Sequence, residues 1–464
     1  MSLFNSNEEY KIKKLESSLA QKASKQTTYV EDFPRLGAET DDTARINRAI
    51  TSAISSGKVL EFKYGVTYTV NTITINANGL EIIGNGAILY NGSTTGQYSL
   101  ALNGASNVKI KRLNTTGINF TITGSSNILI DQCSINKTVS GGMQIDSSSN
   151  VEIFKSIISD TGNLATLNPS YQGCGIYITN NCSSIKIHKC DFSIVRGHGA
   201  VYVNGNHTNV NVLDSDFYNL VYRGVCVYNG TTTTGEISRN RVRTTGYNRA
   251  TGSGVGSNGI YTNTDSLMRV RYNTVQDVLE NGIEGGFEEI SFNTVINTGT
   301  DTTNYPTPSI EGIYGWKKVF KNTVINPNGA GIKYYTTNPI SDLFVEGNII
   351  IKGNATTATK AIDISGVTSF TNVNVLRNTS INFAYCVAIP SGLTYTNTRT
   401  HENVAVGTFT AVYSAVAIDT TTAGTTANRP TGVRQGYPYF DTTLGKQVCY
   451  KGSGQWVDGT GAVV

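Results

Sequence analysis

Three glutamates in the middle of the chain have the spacing to do acid–base chemistry. Glu280 and Glu284 lie four residues apart, and Glu311 opens the next glycine-led segment, 312–315. If Glu284 aligns with Tyr314, the carboxylates of Glu284 and Glu311 fall roughly 6–10 Å apart, as in an inverting glycosidase. We predict Glu284, which projects from mid-strand, as the acid that protonates the leaving oxygen. Glu311, nearer the turn and wetter, is predicted as the base that activates water. The alternative is that both are solvated surface glutamates.

The same position of successive segments is rich in tyrosine. Its occupants are Tyr177, Tyr202, Cys226, Tyr261, Glu284, Tyr314, Lys333 and Asp363. Flat rings with a polar tip suit sugar rings, although tyrosine is also common on ordinary strands. The excess of tyrosine (25) over phenylalanine (15) favours sugar binding. The residues predicted to bind substrate are therefore Tyr177, Tyr202, Arg223, Tyr261, Tyr314, Lys333 and Asp363.

A second reaction fits some of the same residues. β-Elimination from a uronate polymer needs a base, such as Lys333 or Tyr314, and a cation near the uronate carboxylate, for which Arg223 is available. Nucleotide-binding loops, GxSxG elbows and HExxH motifs are absent from the sequence. The spacing of Cys174, Cys182 and Cys190 matches no zinc site. We therefore predict neither a metal nor a cofactor.

Two repeated patterns must position these side chains. The first is glycine, apolar, any, apolar, as in 175–178, 224–227 and 312–315, and its period of two predicts strands. The second is apolar, two residues, small polar, one residue, apolar. Its small polar residues, 20 to 34 positions apart, are Cys133, Ser156, Cys190, Ser215, Asn240, Asn273, Asn293, Asn322, Asn348 and Asn378. Such spacing predicts stacked solenoid coils with loops of variable length.

Stacking about 4.8 Å apart would turn the small polar residues into an internal ladder of hydrogen-bonded side chains. The cysteines in that column are then reduced core residues and not ligands or nucleophiles. Long insertions at 160–173, 244–257 and 298–310 precede three of the glycine-led strands. We expect these loops to stand as walls around one face.

The chain ends have patterns of their own. Residues 41–56 predict a helix capped by Asp41 or Asp42, which would cover the open end of the solenoid. Its apolar face comprises Ile46, Ala49, Ile50, Ala53 and Ile54. Residues 1–27 predict a helical arm with a short heptad seam, or a lone amphipathic helix.

Two segments carry a family resemblance. FPRLGAETDDTARINRAI (33–50), followed by KVLEFKYGVTYTV, resembles the opening of pectate-lyase-like β-helices, which is frequent in phage tailspike and tail appendage depolymerases. One departure is Lys63-Tyr64-Gly65, where a proline–glycine pair is common. The C-terminal stretch resembles a small module of phage tail fibres, with matches at 429–431, 439–443 and 456–458. The implied all-β fold is a right-handed single-stranded parallel β-helix over 28–418, with a linker and small β module at 419–464.

Composition limits the partners. A net charge of +4 with 15% charged residues does not suggest nucleic-acid binding. No apolar run reaches the ~20 residues of a membrane span, and the N-terminus lacks the apolar core of a signal peptide. We therefore expect synthesis in a bacterial cytoplasm without membrane insertion.

The resemblance implies a virion protein of the phage tail. It would be a homotrimer held to tail or base-plate proteins by the arm at 1–27. It would bind and cleave a bacterial surface glycan such as capsule, O-antigen or teichoic acid. Two other readings stay open at this point, a non-catalytic adhesin and a structural fibre.

Overall fold

The computed structural model describes most of the chain. The described residues are 26–93, 98–162, 173–246, 256–300, 310–315, 317–334, 340–353, 359–366, 369–388, 395–396, 398–400, 402–407, 410–413, 423–429 and 438–464. The predicted arm lies almost wholly outside them, as do most of the three long loops and residues 419–422 of the predicted linker. The chain divides into a first unit, Met1–Arg269, and a second unit, Val270–Val464.

The first unit opens with the predicted helix, which runs from Thr43 to Ser56 and ends at Gly57 with a φ of 64°. It packs on the first strands of the unit, as expected for a cap. The apolar face is buried except for Ile54, which is 39% exposed, so its inclusion in that face was wrong. Asp42 stands at the N-cap position without a side-chain capping bond, and the neighbouring Asp41 carboxylate accepts from the Thr43 N–H at 2.8 Å.

A short 3₁₀ turn, Val30–Asp32, precedes the helix. The strands of the first unit form three columns of parallel strands. The first column contains Ile73–Ile75, Tyr98–Asn103, Ile118–Thr123, Met143–Asp146, Ile176–Thr179, Gly199–Asn204, Arg223–Tyr228 and the start of Ile260–Arg271. The second contains Thr27–Tyr29, Val59–Glu61, Glu81–Ile83, Ser106–Lys111, Ser126–Asp131, Ser149–Phe154, Ser183–His188, Thr208–Leu213 and Thr234–Ser238. The third contains Thr67–Thr69, Ile88–Tyr90, Asn114–Thr116, Ser134–Asn136, Ile157–Thr161, Asp191–Val195, Asp216–Leu220 and Arg241–Thr245.

The second unit repeats this arrangement. Its first column contains Ile283–Ser291, Ile313–Gly315, Ile332–Lys333, Lys360–Asp363, Tyr385–Ala388 and Ala411–Tyr413. The second column contains the end of Ile283–Ser291, then Lys318–Phe320, Phe344–Glu346 and Asn374–Leu376. The third contains Thr274–Val278, Thr294–Thr298, Thr323–Pro327, Ile349–Ile351, Thr379–Ile381 and Val404–Val406. A small separate sheet contains Ile340–Ser341, Phe370–Thr371 and Tyr395–Thr396.

The C-terminal residues form a small sheet, as predicted. Its strands are Ala423–Gly424, Pro438–Asp441, Lys446–Gly452 and Gln455–Asp458, after a 3₁₀ turn at Thr426–Asn428. The last three pair antiparallel. Tyr439, Val448 and Trp456 form its core. No helix among the described residues is long and apolar enough to cross a membrane.

The asparagine ladder of the second unit is confirmed. The side-chain oxygen of Asn293 accepts from both the backbone N–H and the amide of Asn273, at 2.9 and 3.0 Å. The Asn293 amide donates to the carbonyl of Val270 and to the Asn322 side chain. The same bonds join Asn322, Asn348, Asn378 and Asn403. Asn403, which the sequence pattern did not include, extends the ladder by one coil.

The corresponding column of the first unit is also internal. The Cys133 N–H donates to the Ser156 hydroxyl, and the Cys190 N–H donates to that of Ser215. Both thiols are buried, and burial raises the pKa of Cys133 and of Cys190 to about 12. The prediction that these cysteines are structural is therefore confirmed.

A second polar ladder in the first unit was not predicted. Its members are Ser125, Ser148, Cys182, His207 and Thr233, each accepting from the N–H of the residue one coil earlier. Nδ1 of His207 accepts from the Cys182 N–H at 3.0 Å, while Nε2 lies 3.0 Å from the carbonyl of Asn204. Since Nδ1 must be an acceptor, the ring is neutral, and its proton lies on Nε2. Burial lowers the pKa of His207.

Candidate functional site

The outward row of the second unit has the predicted register. Glu284 pairs with Tyr314 on the next coil, Tyr314 with Lys333, and Lys333 with Asp363. All four side chains are partly exposed. Neighbouring parallel strands lie about 4.8 Å apart. A carboxylate, a phenol, an ammonium and a second carboxylate therefore follow one another along a single surface line, which we call the acid–tyrosine row.

Glycine begins three of the four strands of this row for a steric reason, and Ala361 stands at the corresponding position of the fourth. A Cβ on Gly312 would come within 2.3 Å of Cγ1 of Val324 and 2.7 Å of the carbonyl oxygen of Gly331. The start of the first-column strand therefore passes directly over the third column, and only glycine fits there. This contact fixes the position of Tyr314 two residues later.

Asn281 links the two predicted catalytic glutamates. Its side-chain amide donates to Oε2 of Glu284 at 2.8 Å, and its oxygen accepts from the backbone N–H of Glu311 at 2.8 Å. Asn281 is fully buried. A buried amide with both ends bonded holds its orientation, and it therefore ties the Glu284 carboxylate to the backbone at Glu311.

Glu311 differs from its prediction. It is buried, with 4% exposure, and is not the wetter of the two carboxylates. Its Oε1 lies 2.7 Å from Nζ of Lys333, and its Oε2 accepts from the N–H of Ile310 at 2.9 Å. Lys333 comes from the following coil and reaches back over Glu311. The alternation of inward and outward residues along the sequence does not predict this contact.

Asp363, the last residue of the row, is part of a smaller network. Its carboxylate lies 3.1 Å from Nζ of Lys360 and accepts from the hydroxyl and the backbone N–H of Ser365. These contacts hold the Asp363 carboxylate in place, and in that position it could accept hydrogen bonds from a ligand.

The outward row of the first unit also has the predicted register, but not the predicted exposure. Tyr177, Tyr202, Cys226 and Tyr261 pair in sequence across successive coils. The rings of Tyr177 and Tyr202 stack with centroids 5.5 Å apart and planes 16° apart. However, Tyr202 is 5% exposed and Cys226 is fully buried, so the prediction that both face solvent was wrong. Tyr177 and Tyr261 pack against them and are partly exposed.

Arg223 lies beside this second row. Its Nε donates to the side-chain oxygen of Asn258 at 3.1 Å, and its guanidinium carbon is 4.0 Å from the ring centroid of Tyr261. Arg223 is 8% exposed. The side chain is thus held between a neutral amide and an aromatic ring.

Sequence reasoning missed Asn258 and Asn281, although one signal could have found them. Both stand in the same pattern, Asn258-Gly259-Ile260-Tyr261 and Asn281-Gly282-Ile283-Glu284. In each unit the buried asparagine orients a charged side chain, Arg223 in one and Glu284 in the other. In the described part of the chain, no group of three or more His, Cys, Asp or Glu residues is arranged to hold a metal ion.

Comparisons with known proteins bear on the fold. The family model described as "Right handed beta helix region" matches residues 56–242, which is less than half of the chain. No curated protein matches the sequence. A mutant tailspike protein of E. coli bacteriophage HK620, solved in complex with a pentasaccharide, has a TM-score of 0.55 at 12% identity. That alignment covers 83% of this chain and 78% of the tailspike.

Two further solved structures are less similar in shape. Tailspike protein 3 of bacteriophage CBA120 has a TM-score of 0.46 at 17% identity, covering 94% of this chain and 70% of its own. PfbA, a surface adhesin of Streptococcus pneumoniae, has a TM-score of 0.46 at 14% identity, covering 92% of this chain and 100% of its own. At these identities the likeness concerns the fold alone. Together with the coils described above, the family model and the HK620 structure identify the fold as a right-handed parallel β-helix.

Proposed function

We propose that this protein binds a polysaccharide of the bacterial surface and cleaves it by glycoside hydrolysis. The observation that carries the proposal is the acid–tyrosine row, in which Glu284 and Tyr314 occupy matching positions on neighbouring coils. The tailspike of similar fold was solved with a bound pentasaccharide, which supports a sugar ligand. Capsule, O-antigen and teichoic acid are the candidate polymers.

Glu284 suits the role of general acid, because it is the open carboxylate of the pair and receives its hydrogen bond from the neutral amide of Asn281. Glu311 is the proposed base, and it is held by Lys333 and by a backbone N–H. For Glu311 to activate water, the ammonium of Lys333 must swing toward the substrate. Lys333 is 32% exposed at its side chain, which leaves room on the solvent side for such a movement.

Two alternatives have their own support. A non-catalytic adhesin is favoured by the burial of Glu311, which leaves Glu284 as the one open member of the predicted pair. β-Elimination is favoured by the position of Tyr314 between Glu284 and Lys333, where its phenol could take the role of base. Lys333 suits that role less well, because it would have to lose both its proton and its bond to Glu311.

Incubation with purified bacterial glycans, followed by size-exclusion chromatography, tests the proposal. Hydrolysis would shorten the glycan chains. It would not give the new absorbance near the ultraviolet edge that comes from the unsaturated sugar produced by a lyase. Glu284→Gln and Glu311→Gln should each reduce the rate by at least ~10²-fold while glycan binding persists. The matched control is Glu288→Gln, which lies on the same strand as Glu284 and alters an ion pair with Lys318 of the next coil. Cleavage at the wild-type rate by both Gln variants would refute the proposed pair.

The remaining proposals concern assembly. We propose a homotrimer that sits in the virion and joins other tail or base-plate proteins through residues 1–27. Light scattering of the purified protein should give three times the chain mass of 49.8 kDa. A mass of one chain would contradict the trimer without affecting the catalytic proposal.

A further inference from the structure

Two arginines of the first unit are equally buried but differently compensated. Arg196 and Arg223 are each 8% exposed. Arg196 has a carboxylate partner, since its Nη1 lies 2.6 Å from Asp160. The contacts of Arg223 are neutral, namely the oxygen of Asn258 and the ring of Tyr261. Among the described residues, no carboxylate lies within ion-pair distance of Arg223.

A buried cation without an anion is costly, because the interior replaces its hydration poorly. Stacking on Tyr261 offsets part of that cost. The Nε atom is satisfied by Asn258, which leaves the two terminal nitrogens of the guanidinium fork. These two nitrogens are not fully buried, so solvent can still reach them. Asn258 and Tyr261 therefore hold a guanidinium that has no anionic partner among the described residues and keeps a small exposure to solvent.

We infer that Arg223 is an anion subsite, and that the glycan bound by this protein carries carboxylate or phosphate groups. The planar fork can bond two oxygens of either group at once, which an ammonium cannot do. The part of the Tyr261 ring that Arg223 leaves uncovered can contact the sugar that bears the acidic group. This inference rests on the proposed function, since it names the class of glycan.

Calorimetric titration with three oligomers tests it. The probes are trigalacturonate, its carboxyl-reduced neutral counterpart, and a glycerol phosphate oligomer, so that carboxylate and phosphate are separated. Wild-type protein should bind one of the acidic probes at least about 10-fold more tightly than the neutral one. Arg223→Gln should remove that preference, and Arg223→Lys should retain a part of it. Arg241→Gln, at an exposed position of the same unit, should leave it unchanged.

The thermal midpoint in inorganic phosphate, compared with that in chloride at equal ionic strength, tests the Arg223 subsite independently of glycan binding. If none of the three oligomers binds, the glycan proposal fails, and the subsite is judged on phosphate alone. A rise in the midpoint that Arg223→Gln abolishes and Arg241→Gln keeps would support the subsite. Equal rises in all three proteins would overturn it. Equal wild-type affinity for the acidic and neutral probes, or an acidic preference that survives in Arg223→Gln, would overturn the subsite while leaving glycan binding in place.

Discussion

Nζ of Lys333 lies 2.7 Å from Oε1 of Glu311, the buried member of the two glutamates proposed for catalysis. The pair joins adjacent coils of the second unit, 22 positions apart in the sequence. It places a positive charge next to Tyr314 and leaves Glu284 as the open carboxylate of the row.

The ion pair between Lys333 and Glu311 should contribute more to stability than its partial exposure suggests. Lys333→Met leaves a buried carboxylate without its cation, and we expect a loss of about 3 kcal/mol in the free energy of unfolding, the lower end for a broken buried pair. Urea denaturation followed by circular dichroism measures this loss. Lys318→Met breaks the more exposed pair with Glu288 and should cost about 0–1 kcal/mol. Equal losses in the two variants would show that Glu311 is adequately solvated without Lys333.

Asn281 should be needed for the rate and less for the fold. Asn281→Asp keeps an oxygen to accept from the Glu311 N–H but replaces the donor to Glu284 with a second carboxylate. Repulsion would then turn Glu284 away from its position. We expect the cleavage rate to fall at least 10-fold at neutral pH, with partial recovery at lower pH as one carboxyl of this new pair takes up a proton.

The pH profile of Asn281→Asp distinguishes positioning from simple loss of structure. A destabilised variant would lose activity at every pH together with its thermal midpoint. Asn297→Asp offers a control in the same unit, because Asn297 also donates a side-chain bond to a carboxylate, that of Asp277. Its cleavage rate should match that of the wild type.

The asparagine ladder gives a third prediction. Asn293→Leu removes the acceptor for two donors of Asn273 and the donor to the Val270 carbonyl. Each buried group left unpaired costs about 1–3 kcal/mol, so we expect a fall of several degrees in the thermal midpoint. Asn211→Leu is the matched control, since the Asn211 amide bonds only its neighbour Asn209 among described residues, on the outward face. A midpoint unchanged in Asn293→Leu would mean that water can replace the ladder.

The sequence repeat was enough to predict the register of the strands. It was not enough to predict which side chains are buried, because that depends on contacts between side chains of adjacent coils. Alternation of apolar residues around Glu284 and Tyr314 is enough to place both on one outward line, as observed. It does not say that Lys333 reaches back over Glu311, or that Tyr202 is covered by its neighbours. Outward direction on a strand and exposure to solvent are separate properties wherever long side chains from adjacent coils cross the surface.

The ladder through His207 shows a different limit. The asparagine ladder was visible because one residue type repeats. The members of the second ladder, serine, cysteine, histidine and threonine, share only the ability to accept a hydrogen bond from a backbone N–H. A search by residue type does not detect such a column, whereas a search for small or polar acceptors at the start of each second-column strand would.

His207 should make the first unit less stable in acid. Burial lowers the pKa of His207 below the ordinary 6.5, and the folded state holds the ring neutral, with Nδ1 accepting from the Cys182 N–H. The unfolded chain takes up a proton near pH 6.5, and the folded chain does so only at lower pH. The unfolded state therefore binds more protons in that window, and stability falls as the pH decreases below 6.5 toward the folded pKa.

The expected loss from this histidine is about 1.4 kcal/mol for each unit by which its pKa is lowered, and it should be absent above pH 7. Denaturation curves of wild type and His207→Asn between pH 4 and 8 measure it. Asparagine can accept from the Cys182 N–H through its oxygen without titrating, so the difference in unfolding free energy between the two proteins should change with pH only below 6.5. A difference that stays constant from pH 8 to 4 would mean that His207 takes up its proton in the folded state as readily as in the unfolded one, with Cys182 losing its acceptor. The neutral ring inferred from the ladder would then be wrong.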